Sequence, residues 1–297
     1  MMQKERLLGR SGIEVSRIGA GTNRWKWGKN DESVHRAFRT LVGAGVNFFD
    51  TAEVYTLGGS ERLLGACLQQ VHLPLVIASK FAPLPTRLSH SQFLKALDAS
   101  LSRLGVPTID LYYVHFPFTL LSVERLMDWM ALAVEAGKVR AVGVSNFGAG
   151  RMRRAAARLE VHGVRLAANQ VRYSVWHRQP EEDGVLAACR ELGVALVAYR
   201  PLEGGLLGSG AAGALRKGGA RSGRDVLMEV LRGVAERRRK SVSQVALSWL
   251  VQRDEHVIPI PGVTGEGHAL ENADTLDWDL TDDEFNAIYQ ASFRNRW

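Results

Sequence analysis

Leu75-Val76-Ile77-Ala78-Ser79-Lys80 is an apolar run of strand length that ends on a charge. Unbroken apolar character over so few residues suits a strand buried on both faces, as in a parallel sheet covered by helices. Such a strand has no need of a lysine at its end, so the last position has another task. Seven further runs share the pattern: Arg17–Gly21, Val46–Ala52, Leu111–His115, Ala141–Asn146, Ala167–Tyr173, Ala195–Arg200 and Val257–Gly262.

Between the runs the apolar period changes to that of a helix. Phe93, Leu94, Leu97, Leu101 and Leu104 recur at steps of three and four, as do Val34, Phe38, Leu41 and Val42, with Asn30 or Asp31 as cap and Gly43 or Gly45 as stop. Val226, Val230 and Val234 continue the pattern, and Thr281 with Glu284 forms a capping-box signature for a last helix. Eight strands alternating with helices predict an α/β fold whose parallel sheet closes into a (β/α)8 TIM barrel. A length of 297 residues suits one such domain over 1–297, since these barrels typically need about 250. Turn residues Arg10-Ser11-Gly12 within Leu8–Ser16 predict a β-hairpin that plugs the bottom of the barrel. Gly204–Gly223, rich in Gly, Ala and basic residues without a period, reads as a long loop.

Hydrophobic residues at 46% and charged residues at 23% are the balance of a soluble globular chain. No apolar run approaches the roughly 20 residues of a membrane helix, and the N-terminal charges are followed by no apolar segment, so the expected compartment is the cytoplasm. Two cysteines, Cys67 and Cys189, give neither a disulfide framework nor metal-ligand spacing, and no metal is expected. The net charge of +7 comes from dispersed basic residues. The densest run, Arg237-Arg238-Arg239-Lys240, closes a predicted helix, where cations suit the dipole. Nucleic acid is not an expected partner; a small molecule is. These patterns leave the oligomeric state open.

The strands share a polar last residue: Asp50, Lys80, His115, Asn146, Gln170 and Tyr199. In a (β/α)8 barrel these ends converge at the C-terminal mouth, where active sites form. Any one of them has a plain structural reading as a cap, a solvated strand end or a core histidine; six together at one rim do not. The set suits hydride transfer to a carbonyl, which needs a proton donor for the developing alkoxide. Tyr55 follows Asp50 by five residues, above the second strand. A tyrosine has a pKa of about 10, so a nearby cation is expected to lower it. Lys80 would be that cation, Asp50 would hold it, and His115 would orient or polarise the substrate oxygen.

Asp50-Thr51-Ala52-Glu53-Val54-Tyr55, Lys80 and Asp110-Leu111-Tyr112-Tyr113-Val114-His115-Phe116-Pro117 together resemble the aldo-keto reductase superfamily. Gly143-Val144-Ser145-Asn146-Phe147, Asn169-Gln170-Val171-Arg172-Tyr173-Ser174, Ala198-Tyr199-Arg200-Pro201-Leu202, Ile258-Pro259-Ile260-Pro261-Gly262 and Glu271-Asn272 extend the resemblance in order along nearly the whole chain. It leans towards the bacterial and plant branch with pyridoxal reductase-like and sugar-oxidising members. The resemblance implies NADPH or NADH as cofactor. It implies that Ser145, Asn146 and Gln170 bond the nicotinamide carboxamide, that Tyr199 stacks on the ring, and that Pro201, Leu202 and Leu206 line the pyrophosphate. Gly21, Thr22, Arg200, Gly262, Thr264, His268, Glu271 and Asn272 complete the implied cofactor set. There is no Gly-x-Gly-x-x-Gly at a strand-to-helix turn, so a Rossmann mode is excluded.

Two departures stand out. Arg200 replaces the usual serine and either pairs with the cofactor pyrophosphate or points to solvent. After the last strand, where NADPH-preferring relatives carry Lys or Arg, this chain has Gly262, Val263, Thr264 and His268. Without a permanent cation the 2′-phosphate loses charge-assisted bonds, so NADPH preference is weakened unless Arg216, Lys217, Arg221 or Arg224 compensates. Trp25, Trp27, Phe81, Phe116 and Phe118 are candidates for an aromatic substrate pocket, which would suit aldehydes, ketones, sugars or aromatic carbonyls. Two other functions use the same residues: a Schiff-base enzyme built on Lys80, and a cofactor-sensing regulatory subunit of the kind found among relatives.

Overall fold

Successive side chains of a strand point to opposite faces, and in this chain the two faces enter two different cores. In the computed structural model, which describes residues 4–28, 31–208 and 223–293, Val76, Ala78, Leu111, Tyr113, Ala168, Val197, Ile258 and Ile260 form an inner cluster. Their neighbours Ile77, Phe81, Tyr112, Val114, Val144, Leu196 and Val257 join a larger cluster that packs against helices. Burial on both faces is why the strands read as continuous apolar runs.

The elements follow the predicted order. A hairpin of β1 (Glu5–Leu7) and β2 (Glu14–Ser16) precedes eight barrel strands: β3 (Ala20–Gly21), β4 (Phe48–Asp50), β5 (Val76–Phe81), β6 (Ile109–Val114), β7 (Val139–Ser145), β8 (Leu166–Arg172), β9 (Ala195–Tyr199) and β10 (Val257–Ile260). The helices are α1 (Asp31–Gly43), α2 (Gly59–Leu68), α3 (His90–Leu104), α4 (Val123–Glu135), α5 (Ala149–Glu160), α6 (Gln179–Glu182), α7 (Val185–Leu192), α8 (Gly223–Arg238), α9 (Val242–Arg253), α10 (Glu266–Ala273) and α11 (Asp282–Phe293). The barrel strands pair in parallel and in sequence order. A parallel bridge between Gly21 and Gly262 closes the ring, with Gly19 N donating to Pro259 O and Gly21 N to Pro261 O, each at 2.9 Å. The structure is thus a (β/α)8 TIM barrel.

The hairpin plugs the bottom as expected. Leu8, Ile13 and Val15 are buried against the inner cluster. Gly9 sits at φ +57, and a Cβ there would lie 2.3 Å from the Ala167 carbonyl oxygen, so only glycine fits.

Thr281 and Glu284 form the predicted capping box: Glu284 N donates to Thr281 Oγ1 and Thr281 N to Glu284 Oε2. Arg238 and Lys240 pair with Glu284 and Asp274, which fixes the basic end of α8. On α8 the buried face runs through Leu227, Leu231 and Val234; Val226 and Val230 are only half-buried. Asn30 and the loop residues Arg216, Lys217 and Arg221 lie outside the described residues.

Candidate active site

Inward parity at the strand ends assembles the site. Phe48 and Asp50, Ala78 and Lys80, Tyr113 and His115, Val197 and Tyr199 each lie two apart, so each polar residue continues an inward-facing row. Gly143 belongs to such a row because a Cβ there would sit 2.4 Å from the Tyr113 ring. Asn146 falls out of parity, but its φ of +59 turns the backbone at the rim.

Lys80 is fully buried. Its Nζ donates to Asp50 Oδ1 at 2.5 Å and to Thr51 O at 2.7 Å, and lies 4.9 Å from the Tyr55 ring centroid. The Tyr55 ring meets His115 edge-on at 5.7 Å, and His115 stacks on Phe116 at 4.1 Å. Behind them Thr22, Thr51 and Ser60 exchange hydroxyl bonds of 2.7 and 2.8 Å, and the buried Glu61 accepts from Ser79 and Arg103. These contacts anchor the start of α2 to the strand ends that carry Asp50 and Lys80.

The electrostatics depart from expectation at Tyr55. Burial raises its pKa, Lys80 opposes this, and the net shift is upward rather than downward. The phenol therefore stays protonated in the resting site, and Lys80 is the neighbour that favours its ionisation. Burial works against the Lys80 ammonium, but Asp50 and then Tyr55 outweigh it and the pKa ends raised. Burial lifts Asp50, with Lys80 and Gln170 holding it back. Burial, then Lys80, pushes His115 down to about 3, so the imidazole is neutral.

A cavity of about 670 Å³ opens beside this cluster. Asp50, Tyr55, His115 and Phe116 line one end; Lys80 lies behind the wall. Of the fifteen residues expected to hold a dinucleotide, all but Leu206 line it, from Gly21 and Thr22 through Ser145, Asn146, Gln170 and Tyr199 to Arg200, Pro201 and Leu202, and on to Gly262, Thr264, His268, Glu271 and Asn272. Leu206 is exposed instead, at the edge of the turn that follows β9. Gln170 points its Nε2 at Asp50 Oδ2, 2.7 Å away. Ser145 Oγ donates to the Gln170 carbonyl, Asn146 Nδ2 to Ser145 Oγ, and Tyr199 OH to Asn146 Oδ1. Asn272 Nδ2 is buried, borders the cavity and has no hydrogen-bond partner among the described residues. The cavity volume, its mixed polar lining and this unpaired donor fit an extended dinucleotide.

The aromatic expectations are partly corrected. Phe81 has outward parity and packs on Phe93 in the helix-side core. Trp25 is buried, its Nε1 donating to Val263 O at 2.7 Å, so it ties the first loop to the last rather than touching the cavity. Trp27 is exposed, and Phe118 belongs to a separate shallow surface pocket with Leu120 and Pro83. Arg224 lies over the Trp176 ring and does not line the cavity. Residues not foreseen in the lining include Asn23, Arg24, Arg172, Ser243 and the glycines 204, 205 and 208. Arg172 follows Gln170 by two, so strand parity would have found it; Ser243, on α9, gives no such signal.

The sequence matches the aldo/keto reductase family over residues 17–292. The chain belongs to the aldo/keto reductase family. It is 33% identical to pyridoxal reductase, chloroplastic, of Arabidopsis thaliana, over 92% of this chain and 82% of that protein. It is 30% identical to probable aldo-keto reductase 1 of Glycine max, over 96% and 87%. Among solved structures it resembles a glycerol dehydrogenase from Gluconobacter oxydans (TM-score 0.84, 25% identity, 100% and 97% covered). It also resembles an aldo/keto reductase from Klebsiella pneumoniae in complex with NADP and acetate (TM-score 0.77, 27%, 97% and 95%). This aldo/keto reductase is thus an NAD(P)H-dependent oxidoreductase. Among the described residues no helix is long and apolar enough to cross a membrane, and no group of three or more His, Cys, Asp or Glu could hold a metal.

Proposed function

We propose that residues 1–297 form one catalytic domain that reduces the carbonyl of an aldehyde, ketone or sugar, with Tyr55 as proton donor. The observation that carries this reading is the buried Lys80, bonded to Asp50 and facing the Tyr55 ring, at one end of a trench that fits a dinucleotide. A bound nicotinamide supplies the hydride. Tyr55, kept protonated by burial, gives its proton to the carbonyl oxygen. The Lys80 ammonium stabilises the phenolate left behind, and Asp50 holds that ammonium in place. Neutral His115 offers one N–H to orient the carbonyl oxygen. Gln170 secures Asp50 from the far side, and Tyr199 with Asn146 and Ser145 would form the wall that holds a nicotinamide. Arg200, Gly262, Thr264, His268, Glu271 and Asn272 serve the rest of the dinucleotide.

Phe116, stacked on His115, makes the substrate end partly apolar. Val54 and Leu57, on the same loop as Tyr55, are exposed outside the residues that line the cavity. Leu57 holds a left-handed φ of +56 while 94% exposed, a strained presentation of an apolar side chain beside the proton donor. Phe116 in the cavity lining favours a carbonyl on an apolar body over a free sugar. A Schiff-base role for Lys80 is disfavoured because its Nζ is sealed behind Asp50, Thr51 and Tyr55. Parallel turnover assays with NADH and NADPH over aldehydes, ketones and sugars, in both directions, test the proposal. Dinucleotide binding with no turnover across the panel would favour a cofactor-sensing subunit instead.

A further inference from the structure

The turn after β9 forms part of the trench in a costly backbone shape. Arg200 and Glu203 have φ of +51 and +50, and Gly204 and Gly205 have +70 and +105. Left-handed residues that carry side chains persist only where their surroundings hold them. Glu203 lies between two residues of the cavity wall, Leu202 and Gly204, and is buried. A buried carboxylate just behind the wall of a trench for an anionic dinucleotide is unfavourable unless it is neutralised.

Arg172, the last residue of β8, lines the same cavity and forms an ion pair with Glu203 Oε2. Glu203 Oε1 accepts from Ser174 Oγ at 2.5 Å, and that same hydroxyl receives the backbone N–H groups of Trp176 and His177. The carboxylate is therefore bound on both oxygens to β8 and the turn beyond it. The Glu203 side chain is 5% exposed and that of Arg172 41%. The pair differs in this from a surface ion pair, whose partners are both solvated.

We propose that Arg172 is a positioning residue for the dinucleotide: through Glu203 it holds the Arg200–Gly205 turn in its left-handed shape and cancels a carboxylate that would repel the diphosphate. The inference rests on the reading of the trench as a nicotinamide dinucleotide site. Loss of Arg172 acts in two ways, by freeing the turn and by exposing an anion to an anionic ligand. The second effect is electrostatic, and removal of the Glu203 charge relieves it.

The test measures dissociation constants of NADH and NADPH by intrinsic fluorescence for the wild type, Arg172→Met, Glu203→Gln and the double variant. Removing the half-exposed arginine leaves the buried Glu203 carboxylate uncompensated, which predicts weaker binding of both dinucleotides by about ten- to a hundred-fold in Arg172→Met. Glu203→Gln alone weakens binding less, because it loses the hold on the turn but leaves no uncompensated anion, and the double variant binds like Glu203→Gln rather than like Arg172→Met. A purely structural arginine would show no such recovery. Binding by Arg172→Met within twofold of wild type, or a double variant no better than Arg172→Met, overturns the proposal. Arg172→Gln replaces the methionine variant if circular dichroism shows that one unfolded. Failure of the wild type to bind either dinucleotide would instead sink the cofactor reading itself.

Discussion

Gln170 Nε2 donates to Asp50 Oδ2 across the barrel interior, joining β8 to β4 over 2.7 Å. The two oxygens of Asp50 are thus divided: one holds Lys80, the other a residue from the opposite side of the ring. A carboxylate fixed at both oxygens cannot rotate, so the ammonium it holds is fixed too. Catalytic geometry of this kind depends on the closed barrel rather than on local sequence.

Tyr55→Phe should lower kcat by about a hundred- to ten-thousand-fold, the usual worth of a general acid, while dinucleotide affinity stays near wild type. Steady-state kinetics with a fluorescence titration separates the two. Wild-type kcat at saturating cofactor, with hydride transfer shown to be rate-limiting, would remove Tyr55 from the role of acid.

Lys80→Met should damage turnover as much as Tyr55→Phe, and the double variant should be little worse than either, because groups that act as a unit are non-additive. It also leaves Asp50 buried without its cation, a loss of about 3–5 kcal/mol of stability. Adding Asp50→Asn should restore much of the thermal midpoint without restoring kcat. Independent, additive effects of Tyr55 and Lys80 on kcat would contradict the shared role.

His115 should give the fold an acid sensitivity. Its folded pKa of about 3 lies below the unfolded value of about 6.5. Between those limits the unfolded chain binds the extra proton, so stability is full above the upper value and falls as pH drops through the window. The slope from this one group is at most about 1.4 kcal/mol per pH unit. Denaturant unfolding of wild type and His115→Asn between pH 7 and pH 4 should show a shallower decline in the variant. Parallel curves would mean that His115 is charged or exposed.

Cofactor choice should respond to the segment after β10. Thr264 Oγ1 and His268 Nδ1 lie 2.8 Å apart, and His268 lines the trench. His268→Arg should shift preference towards NADPH by about ten- to a hundred-fold, the worth of one charge-assisted bond. An unchanged ratio of dissociation constants would show that the 2′-phosphate lies elsewhere.

The strands and their polar ends were legible because burial on both faces leaves a continuous apolar signature, and an ionisable residue interrupts it visibly. Phe81 and Trp25 were misread for the opposite reason. An aromatic residue near a rim looks alike whether it faces the cavity or the helix layer, and only strand parity, for Phe81, and a distant carbonyl at Val263, for Trp25, decide. The direction of the Tyr55 shift was hidden because it balances burial against one cation, and burial is not written in the sequence. Glu203 gave no signal in the sequence, because only the fold brings Arg172 to it.

The barrel closes on its shortest strand. β3 has two residues, and its seam with the last strand is one bridge, Gly21 to Gly262, carried by three backbone bonds, from Gly19 N to Pro259 O, Gly21 N to Pro261 O and Val263 N to Gly21 O. Amide hydrogens there should exchange with solvent sooner than those of β5 to β8, because local opening needs few contacts broken. Gly21 and Gly262 also border the trench from opposite sides of the seam. A dinucleotide lying across both would act as a staple, adding stability that grows with the logarithm of its concentration. The enzyme's resistance to heat would then follow the nucleotide supply around it, with protection of the Gly21 amide as its reporter.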